Sequence, residues 1–312
     1  MKTGFHKPVL LKEVLEALSP KPGGKYIDCT VGSGGHAKAI LERIVPEGRL
    51  LGIDIDPEAI ELSVQNLRQF GSNVNLVNAD YAFLEEIASQ YGFEKVDGIL
   101  FDLGIASFQI ENGKRGFSFN IEGPLDMRYN PYQQSLTAAE VVNTYHPKEL
   151  ARILREFGEE PRAWRIAQEI VKARKARDIE TTLELARIVE KVYGGREGFR
   201  IHPATRTFLA LRIFVNRELE KLELALRQAV KLLSPGGRIV VITFHSLEDR
   251  LVKRFFEEEA KNCICPPRIP QCVCGHRASL RIITKKPIRT SEEEKEENPR
   301  SRSAKMRVAE KI

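Results

Sequence analysis

Short apolar segments alternate with helical stretches from the start of the chain to about Gln109. The apolar segments have the length and composition of buried strands, and the stretches between them repeat apolar residues at helical spacing. The predicted strands are KYIDCT, GRLLGIDID, NVNLVNAD and VDGILFDLG. Helical stretches such as PEAIELSVQNLRQF are long enough to connect parallel strands. The pattern predicts an α/β fold of the Rossmann-like kind, with a doubly wound, mostly parallel sheet.

The alternation ends after Gln109, where a glycine-rich loop leads into a run of helices. One of these helices is preceded by Thr137, which heads a capping box. Because no strand-like run interrupts the helices, we predict an all-helical insertion domain over residues 112–206. Residues 1–111 and 207–312 would together form the discontinuous sheet domain.

The segments after the insertion return to the sheet pattern. TFLALRIFVNRELEKLELALRQAVKLL predicts one long helix, RIVVITF a buried strand, and SLRIITKK a last strand at about 279–286. The remaining segment, PIRTSEEEKEENPRSRSAKMR, is highly charged, so we expect it to lie on the surface or to order only against a partner. Within the insertion, we expect Asn143 and Trp164 to lie in the core.

Composition and charge narrow the class of protein. The chain of 312 residues is 42% hydrophobic and has no apolar run long enough to span a membrane, so we expect a cytoplasmic protein without a membrane partner. The formal net charge is +6, and residues 161–217 alone hold 13 Lys and Arg against 6 Asp and Glu. This basic window is typical of proteins that bind a polyanion, although solvated helix faces carry similar charge.

The turn after the first predicted strand, in IDCTVGSGGHAKAI, is the candidate ligand site. Gly32, Gly34 and Ala37 satisfy the dinucleotide pattern G-x-G-x-x-G/A, and Asp54 follows at the position of a ribose-binding acid. One hypothesis is therefore that the protein is a nicotinamide oxidoreductase. Asp28 is evidence against this hypothesis, because a carboxylate just before the turn would repel a pyrophosphate.

A series of acids favours a cationic adenosine ligand instead. The acids Asp28, Asp54, Asp80 and Asp102 end successive predicted strands at intervals of 26, 26 and 22 residues. Ligands of open α/β sheets bind at the carboxyl ends of the strands, so these carboxylates would surround one crevice. S-adenosylmethionine carries an ammonium and a sulfonium group there, and we predict it as the cofactor.

Six segments give the chain a resemblance to a known family. They are DCTVGSGGHAKAIL, FDLGIASFQ, RGFSF with GPLDMR, HPATRTFLALRIFVNRELE, LSPGGRIVVITFHSLEDRLVK and NPRSRSAKMR, within a match from about His6 to Arg307. Together they resemble the bacterial ribosomal RNA small subunit methyltransferase H family. The resemblance implies a class I methyltransferase that moves a methyl group from S-adenosylmethionine to the exocyclic amine (N4) of a cytidine. Its expected partner is the decoding region of 16S rRNA in the small ribosomal subunit.

The resemblance also assigns site residues. The implied cofactor contacts are Gly34, Gly35, His36, Asp54, Tyr81, Asp102 and Gln109. To these the charge argument adds Asp28. We expect Asp54 to accept hydrogen bonds from the ribose hydroxyls and Tyr81 to offer its ring face to adenine.

Two residues are candidates for the chemistry on the cytosine amine. Asp102 can either accept a hydrogen bond from the amine or hold the methionine end of the cofactor. His245 follows the predicted strand RIVVITF, and histidine is the residue type best suited to remove a proton near neutral pH. An aromatic side chain must also stack on the flipped base. The candidates are Phe108, Phe117, Phe119 and Phe244.

If the chain methylates rRNA as the resemblance implies, the basic insertion is the candidate RNA-binding surface. The cations in question are Arg162, Arg165, Lys172, Arg174, Lys175 and Arg177, with Arg206 at the domain junction. Two other functions stay open at this stage. The chain could methylate another nucleic acid or a protein amine, or it could be a non-catalytic RNA-binding assembly factor that retains a cofactor pocket.

Two C-x-C pairs in CICPPRIPQCVCGH form a candidate metal site. They consist of Cys263, Cys265, Cys272 and Cys274. Four thiolates suit a tetrahedral zinc ion. The C-x-C spacing is tighter than the usual C-x-x-C knuckle, so the sequence favours reduced, partly buried thiols and leaves zinc as the alternative.

Overall fold

The computed structural model of the protein describes residues 8–199, 201–266 and 271–312. The chain divides into two compact units. The sheet unit consists of Met1–Gly104 and Leu219–Ile312, and the helical unit is Ile105–Glu218.

The strands all belong to the sheet unit. Their bounds are β1 Lys25–Asp28, β2 Arg49–Asp54, β3 Val74–Asn78, β4 Val96–Asp102, β5 Leu233–Thr243, β6 Leu280–Ile282, β7 Ile288–Arg289 and β8 Lys305–Lys311. Among the described residues they form one sheet in the order β3-β2-β1-β4-β5-β8-β6, with β7 paired to β8. The first five strands in this order are parallel, and β8 is antiparallel to β5. The predicted doubly wound, mostly parallel sheet is confirmed.

The helices follow the predicted stretches closely. Their bounds are α1 Leu11–Leu18, α2 Gly35–Ile44, α3 Pro57–Leu67, α4 Leu84–Tyr91, α5 Ser107–Glu111, α6 Ala138–Thr144, α7 Pro147–Gly158, α8 Ala163–Arg174, α9 Thr182–Tyr193, α10 Thr205–Asn216, α11 Glu218–Leu232, α12 Ser246–Glu259 and α13 Glu292–Glu297. Local capping explains several of the boundaries. The Asp56 side chain accepts the Glu58 N–H at the start of α3, and Thr137 accepts the Glu140 N–H at the start of α6.

Both faces of the sheet are buried, as expected for a sheet with helices on each side. Successive side chains of β4 point to opposite faces. Ile99 and Phe101 join one apolar core, whereas Leu100 joins the other. This packing fixes the ends of the strands, where the polar site residues lie.

The C-terminal segment corrects a prediction. The expected location on the surface holds for α13, which has no buried residue, but it is wrong at the two ends of the segment, where β7 and the start of β8 pair inside the sheet. The β8 residues Met306, Val308 and Ala309 are almost fully buried. Arg307 is also buried because its guanidinium binds Asp249, with Nε 2.6 Å from Oδ1. The charge of Arg307 is thus paired, and the few apolar residues of the segment can pack inside.

The predicted long helix after the insertion is also wrong. It divides into α10 and α11 at Arg217, whose backbone is left-handed with φ of 52°. The apolar face of α10 packs in the core of the helical unit through Phe208, Leu211 and Val215. The helical unit, Ile105–Glu218, therefore includes α10 and is longer at both ends than the predicted insertion, 112–206.

Trp164 does not lie in the core as expected. It is 43% exposed on α8, whereas Ile166 and Ile170 of the same helix are buried. Asn143 does hold an internal position, since its side chain exchanges two hydrogen bonds with the backbone of Ile179. In the part of the chain that the structure describes, no helix is long and apolar enough to cross a membrane.

Candidate active site

The parallel register brings three of the acids to one edge of the sheet. Asp28 lies opposite Gly52 of β2 and Leu100 of β4. Asp54 and Asp102 each follow these partners by two residues, at the carboxyl ends of their own strands. The charges of Asp54 and Asp102 both act on Asp28, so the carboxylates are close enough to interact. The predicted convergence of carboxylates at one edge therefore holds for these three acids.

The glycine turn is tied to this edge through Asp54. Its Oδ2 accepts the Gly32 N–H at 2.9 Å, and its Oδ1 accepts the Asp56 N–H at 2.9 Å. Gly34 has φ of 89°, a left-handed conformation that glycine adopts without strain. At Gly35, a Cβ atom would lie 2.4 Å from Cγ of Pro8, so no larger residue fits. The turn presents bare backbone beside a carboxylate, which suits a ribose.

His36 lies in the first turn of α2 and faces Asp102. Its Nε2 is 3.4 Å from Asp102 Oδ2, an ionic contact that falls short of hydrogen-bond geometry. Both ring nitrogens and Asp102 Oδ1 are buried without a hydrogen-bond partner among the described residues. Burial alone would lower the pKa of His36, but the carboxylates of Asp102 and Asp28 outweigh it and raise that pKa. Buried polar atoms usually have a hydrogen-bond partner, so these atoms are candidates to bind a polar group.

Thr30 is a site residue that sequence reasoning missed. Its N–H donates to Asp28 Oδ1 at 3.1 Å, and its hydroxyl accepts the Asp102 N–H at 2.7 Å. The side chain therefore bridges the ends of β1 and β4 and fixes the spacing of the two carboxylates. The available signal was the short polar residue two positions after Asp28, a spacing typical of an Asx turn.

Asp28 is almost fully buried, and burial raises its pKa from 3.8 to about 7. Between pH 3.8 and about pH 7, Asp28 is therefore protonated in the folded protein and ionised in the unfolded chain. Without cofactor, the free energy of unfolding should fall on the order of 2 kcal/mol from about pH 5 to about pH 8. Chemical unfolding at several pH values measures this slope. The slope should flatten in Asp28→Asn and persist in the control Asp97→Asn, and an unchanged slope in Asp28→Asn would contradict the assignment.

Asp80 and Tyr81 lie beyond β3, and each has a partner in the sheet unit. The Asp80 carboxylate is 2.7 Å from Lys221 Nζ, so its charge is neutralised within the protein. Asp80 does follow the carboxyl end of β3, and its place among the cofactor-binding acids stays a prediction. The Tyr81 ring lies edge-on to Phe101 at 5.9 Å between centroids. That contact fixes the ring, and its stacking on adenine stays a prediction.

Gln109 belongs to the helical unit rather than to the sheet unit. It is buried on α5, and its side-chain oxygen accepts the Ala106 N–H at 2.9 Å. The hydrogen bond holds the start of this short helix. A cofactor contact from Gln109 stays a prediction.

His245 caps α12. Its Nδ1 accepts the Glu248 N–H at 3.4 Å, and its Nε2 lies 3.0 Å from Glu248 Oε1. Glu248 Oε2 in turn accepts the N–H groups of Phe244 and His245. Nδ1 thus caps the helix, whereas Nε2 is buried beside the Glu248 carboxylate with no hydrogen-bond partner among the described residues. Removal of a substrate proton by His245 stays a prediction.

An asparagine at position 245 separates capping from catalysis, because asparagine is also a good N-cap. We expect His245→Asn to keep the melting temperature and the rate of methyl transfer close to the wild-type values. His245→Ala should lose about 1 kcal/mol of stability. Thermal unfolding and initial rates measure both effects. If His245→Asn folds normally yet loses roughly 100-fold in rate, then the imidazole removes the proton.

The four phenylalanines that could stack on the flipped base differ in how they are packed. Phe117 is buried and stacks on Tyr129, and Phe119 stacks on His202, so both belong to the core of the helical unit. In the sheet unit, the Phe244 ring lies against Gly104, where a Cβ atom would approach Cδ2 of the ring to 3.0 Å. Phe244 therefore lies next to the segment that follows Asp102. Phe108, on α5 of the helical unit, is partly exposed.

Comparisons with known proteins show the family of this chain. The sequence matches the MraW methylase family over residues 3–312. A ribosomal RNA small subunit methyltransferase H from Dehalococcoides mccartyi is 55% identical over 98% of this chain and 86% of that protein. A protein of the same name from Thermomicrobium roseum is 53% identical over 98% and 94% of the two chains. A solved rRNA methylase from Streptococcus thermophilus aligns with a TM-score of 0.42 and 10% identity, over 97% and 93% of the chains. The chain belongs to the MraW methylase family.

Proposed function

We propose that this protein transfers a methyl group from S-adenosylmethionine to the N4 amine of a cytidine in 16S rRNA. The proposal places it in the cytoplasm with the small ribosomal subunit as its partner. One observation carries the proposal. The carboxyl groups of Asp28, Asp54 and Asp102 meet at the glycine turn beside the buried ring of His36, whose nitrogens have no hydrogen-bond partner among the described residues. The names of two similar relatives supply the substrate class.

The residues at the turn fit S-adenosylmethionine better than a nicotinamide dinucleotide. A dinucleotide needs free N–H groups at the turn for its pyrophosphate. Here the Gly32 N–H already donates to Asp54 Oδ2, so it is not free to bind a pyrophosphate. The remaining lone pairs of Asp54 can accept the ribose hydroxyls, and His36 with Asp102 can hold the polar methionine end. When bound, the cofactor supplies an electrophilic methyl group on a cationic sulfur.

Asp102 has the position to act on the amine of the target cytosine. Its backbone is fixed by Thr30 and its side chain by His36, while one carboxylate oxygen lacks a hydrogen-bond partner in the described chain. The cytosine amine is a weak nucleophile because its lone pair is delocalised into the ring. A carboxylate that accepts a hydrogen bond from the amine orients it and stabilises the charge that develops there. We assign this role to Asp102.

Several predicted phosphate-binding cations of the helical unit are already used inside that unit. Arg162 donates to the Val192 carbonyl, and Arg174 donates to the carbonyls of Val142 and Tyr145 at the end of α6. Arg177 pairs with Glu184. These three arginines therefore stabilise the helical unit, and their presence in the sequence does not indicate RNA binding.

Of the other predicted cations, Arg206 is exposed on α10, and the remaining three lie on one face of α8 and its C-cap. Arg165, Lys172 and Lys175 are exposed there together with Trp164, at helical positions that share one side. We call these four residues the basic stripe. Cations that bind phosphates beside an aromatic ring that stacks on a base are the usual combination for single-stranded or unfolded RNA. We propose the basic stripe as the RNA-binding surface of the helical unit.

Removing the charge of the basic stripe should weaken RNA binding. For the triple variant Arg165→Ala, Lys172→Ala and Lys175→Ala, the slope of log affinity against log salt should drop by up to about 0.7–0.9 per lost phosphate contact. Cofactor affinity should stay unchanged. Fluorescence titration of an rRNA fragment at several salt concentrations measures the slope. A matched control removes the same charge from the sheet unit, at Lys12, Lys253 and Arg254. An equal loss in both triple variants would reject the basic stripe.

Labelled S-adenosylmethionine offered to four substrates tests the proposed function. The substrates are small ribosomal subunits, naked 16S rRNA, transfer RNA and DNA. We expect label only on small-subunit rRNA, and nuclease digestion followed by mass spectrometry should recover it as N4-methylcytidine. Label on transfer RNA or DNA alone would indicate a different nucleic-acid substrate. RNA binding without label on any substrate would indicate a non-catalytic assembly factor.

A further inference from the structure

The four cysteines after α12 bring their sulfur atoms into one cluster. All four Sγ atoms lie within 4.8 Å of one another. The Sγ distances are 3.5 Å for Cys272 and Cys274, 3.8 Å for Cys263 and Cys274, and 4.0 Å for Cys265 and Cys272. A disulfide needs about 2.05 Å. A tetrahedral ion with zinc–sulfur bonds of about 2.3 Å has its sulfur atoms about 3.8 Å apart. The cluster therefore has the dimensions of a zinc site.

The backbone around the cluster also suits thiolate ligands. The Cys265 N–H donates to Cys263 Sγ at 3.4 Å, and the Val273 N–H donates to Cys265 Sγ at 3.5 Å. Amide donors of this kind stabilise negative charge on sulfur and orient it toward a metal. The tight C-x-C spacing, which favours reduced thiols on sequence grounds, is compatible with this arrangement because the turns around the pairs supply such donors.

The described part of the loop has no apolar core to hold it in shape. Its apolar residues Ile264 and Val273 are 49% and 77% exposed. Hydrogen bonds attach the loop near the end of α12, where the His276 ring contacts the Glu258 carbonyl at 3.1 Å and the Ser279 N–H donates to the Glu259 carbonyl at 2.8 Å. Small segments without an apolar core commonly depend on a metal ion for their structure.

We propose that Cys263, Cys265, Cys272 and Cys274 bind one zinc ion that fixes the two described segments between α12 and β6 in which these cysteines lie. Four protein ligands leave no open coordination position, so the site is structural. Zinc ties residues 263–266 to residues 271–274 and holds the loop against the end of α12. The site is separate from the carboxylates that bind the cofactor and does not depend on the proposed methyl transfer.

Metal content of the full-length protein tests the zinc site. After purification under reducing conditions, we expect about one zinc per chain by mass spectrometry. Cobalt added in place of zinc should give the visible bands of a tetrahedral thiolate site. The double variant Cys263→Ser with Cys265→Ser should lose both signals, and the control Cys29→Ala, at a cysteine outside the cluster, should retain them.

Hydrogen exchange supplies a readout that is independent of metal analysis. A chelator should speed exchange of the amides of Cys265 and Val273 and leave exchange in β4 unchanged. The proposal is overturned if the wild-type protein binds less than about one-tenth of a zinc per chain after reconstitution with zinc under reducing conditions. It is also overturned if the double variant retains the metal, or if intact mass shows the four thiols oxidised as isolated.

Discussion

Replacing Asp102 by asparagine should lower the rate of methyl transfer roughly 100-fold, since the variant removes charge where the amine must be oriented. The substituted side chain keeps nearly the same size, and the backbone hydrogen bond to Thr30 does not involve it, so the sheet should remain folded. The His36 ring would lose its anionic neighbour. Single-turnover rates with saturating cofactor separate this effect on the chemical step from an effect on cofactor affinity.

The matched control for this variant is Asp97→Asn on the same strand. Asp97 accepts the Lys25 N–H near the amino end of β4, and asparagine can keep that hydrogen bond. The control makes the same charge change far from the carboxyl edge of the sheet, so its rate should match the wild-type rate. A normal single-turnover rate in Asp102→Asn, with weaker cofactor binding, would assign Asp102 to the methionine end of the cofactor alone.

Replacing Asp54 by alanine should weaken S-adenosylmethionine binding at least about 100-fold. Two hydrogen bonds from the ribose hydroxyls to a charged acceptor account for a loss of this size. The variant also releases the Gly32 and Asp56 N–H groups, which loosens the glycine turn. Calorimetric titration at a pH above the Asp54 pKa of about 6, to which burial raises it, measures the affinity with the carboxylate ionised.

Asp56→Asn is the control for Asp54→Ala, because asparagine keeps the cap on α3 at the neighbouring position. Its cofactor affinity should stay within a few-fold of the wild-type value. Melting temperatures of both variants show whether the turn remains folded. Retained affinity in folded Asp54→Ala would contradict the ribose role.

The sequence was sufficient to predict the parallel sheet because its strands are short, mostly apolar segments, of which β1, β2 and β4 end in an aspartate. The carboxyl ends of parallel strands share one edge, so Asp28, Asp54 and Asp102 could be brought together without coordinates. The helix start at Thr137 could also be predicted, because the capping side chain is local to the helix that it begins.

Most features that sequence reasoning missed depend on partners distant in the chain, and one depends on a local residue without a recognisable sequence signal. Strand β8 is charged, and only its pairing with β5 and the ion pair of Arg307 with Asp249 permit its burial. The break between α10 and α11 rests on a left-handed residue, Arg217, that carries no glycine or proline signal. The pairing of Asp80 with Lys221 likewise joins residues that are remote in sequence.

Carboxyl groups at the edge of the sheet should bind a cationic methyl donor. Calorimetric titration of the wild-type protein with S-adenosylmethionine, and separately with NAD, measures this binding. We expect saturable binding of S-adenosylmethionine in a one-to-one complex and no measurable binding of NAD. Binding of NAD without binding of S-adenosylmethionine would contradict this expectation.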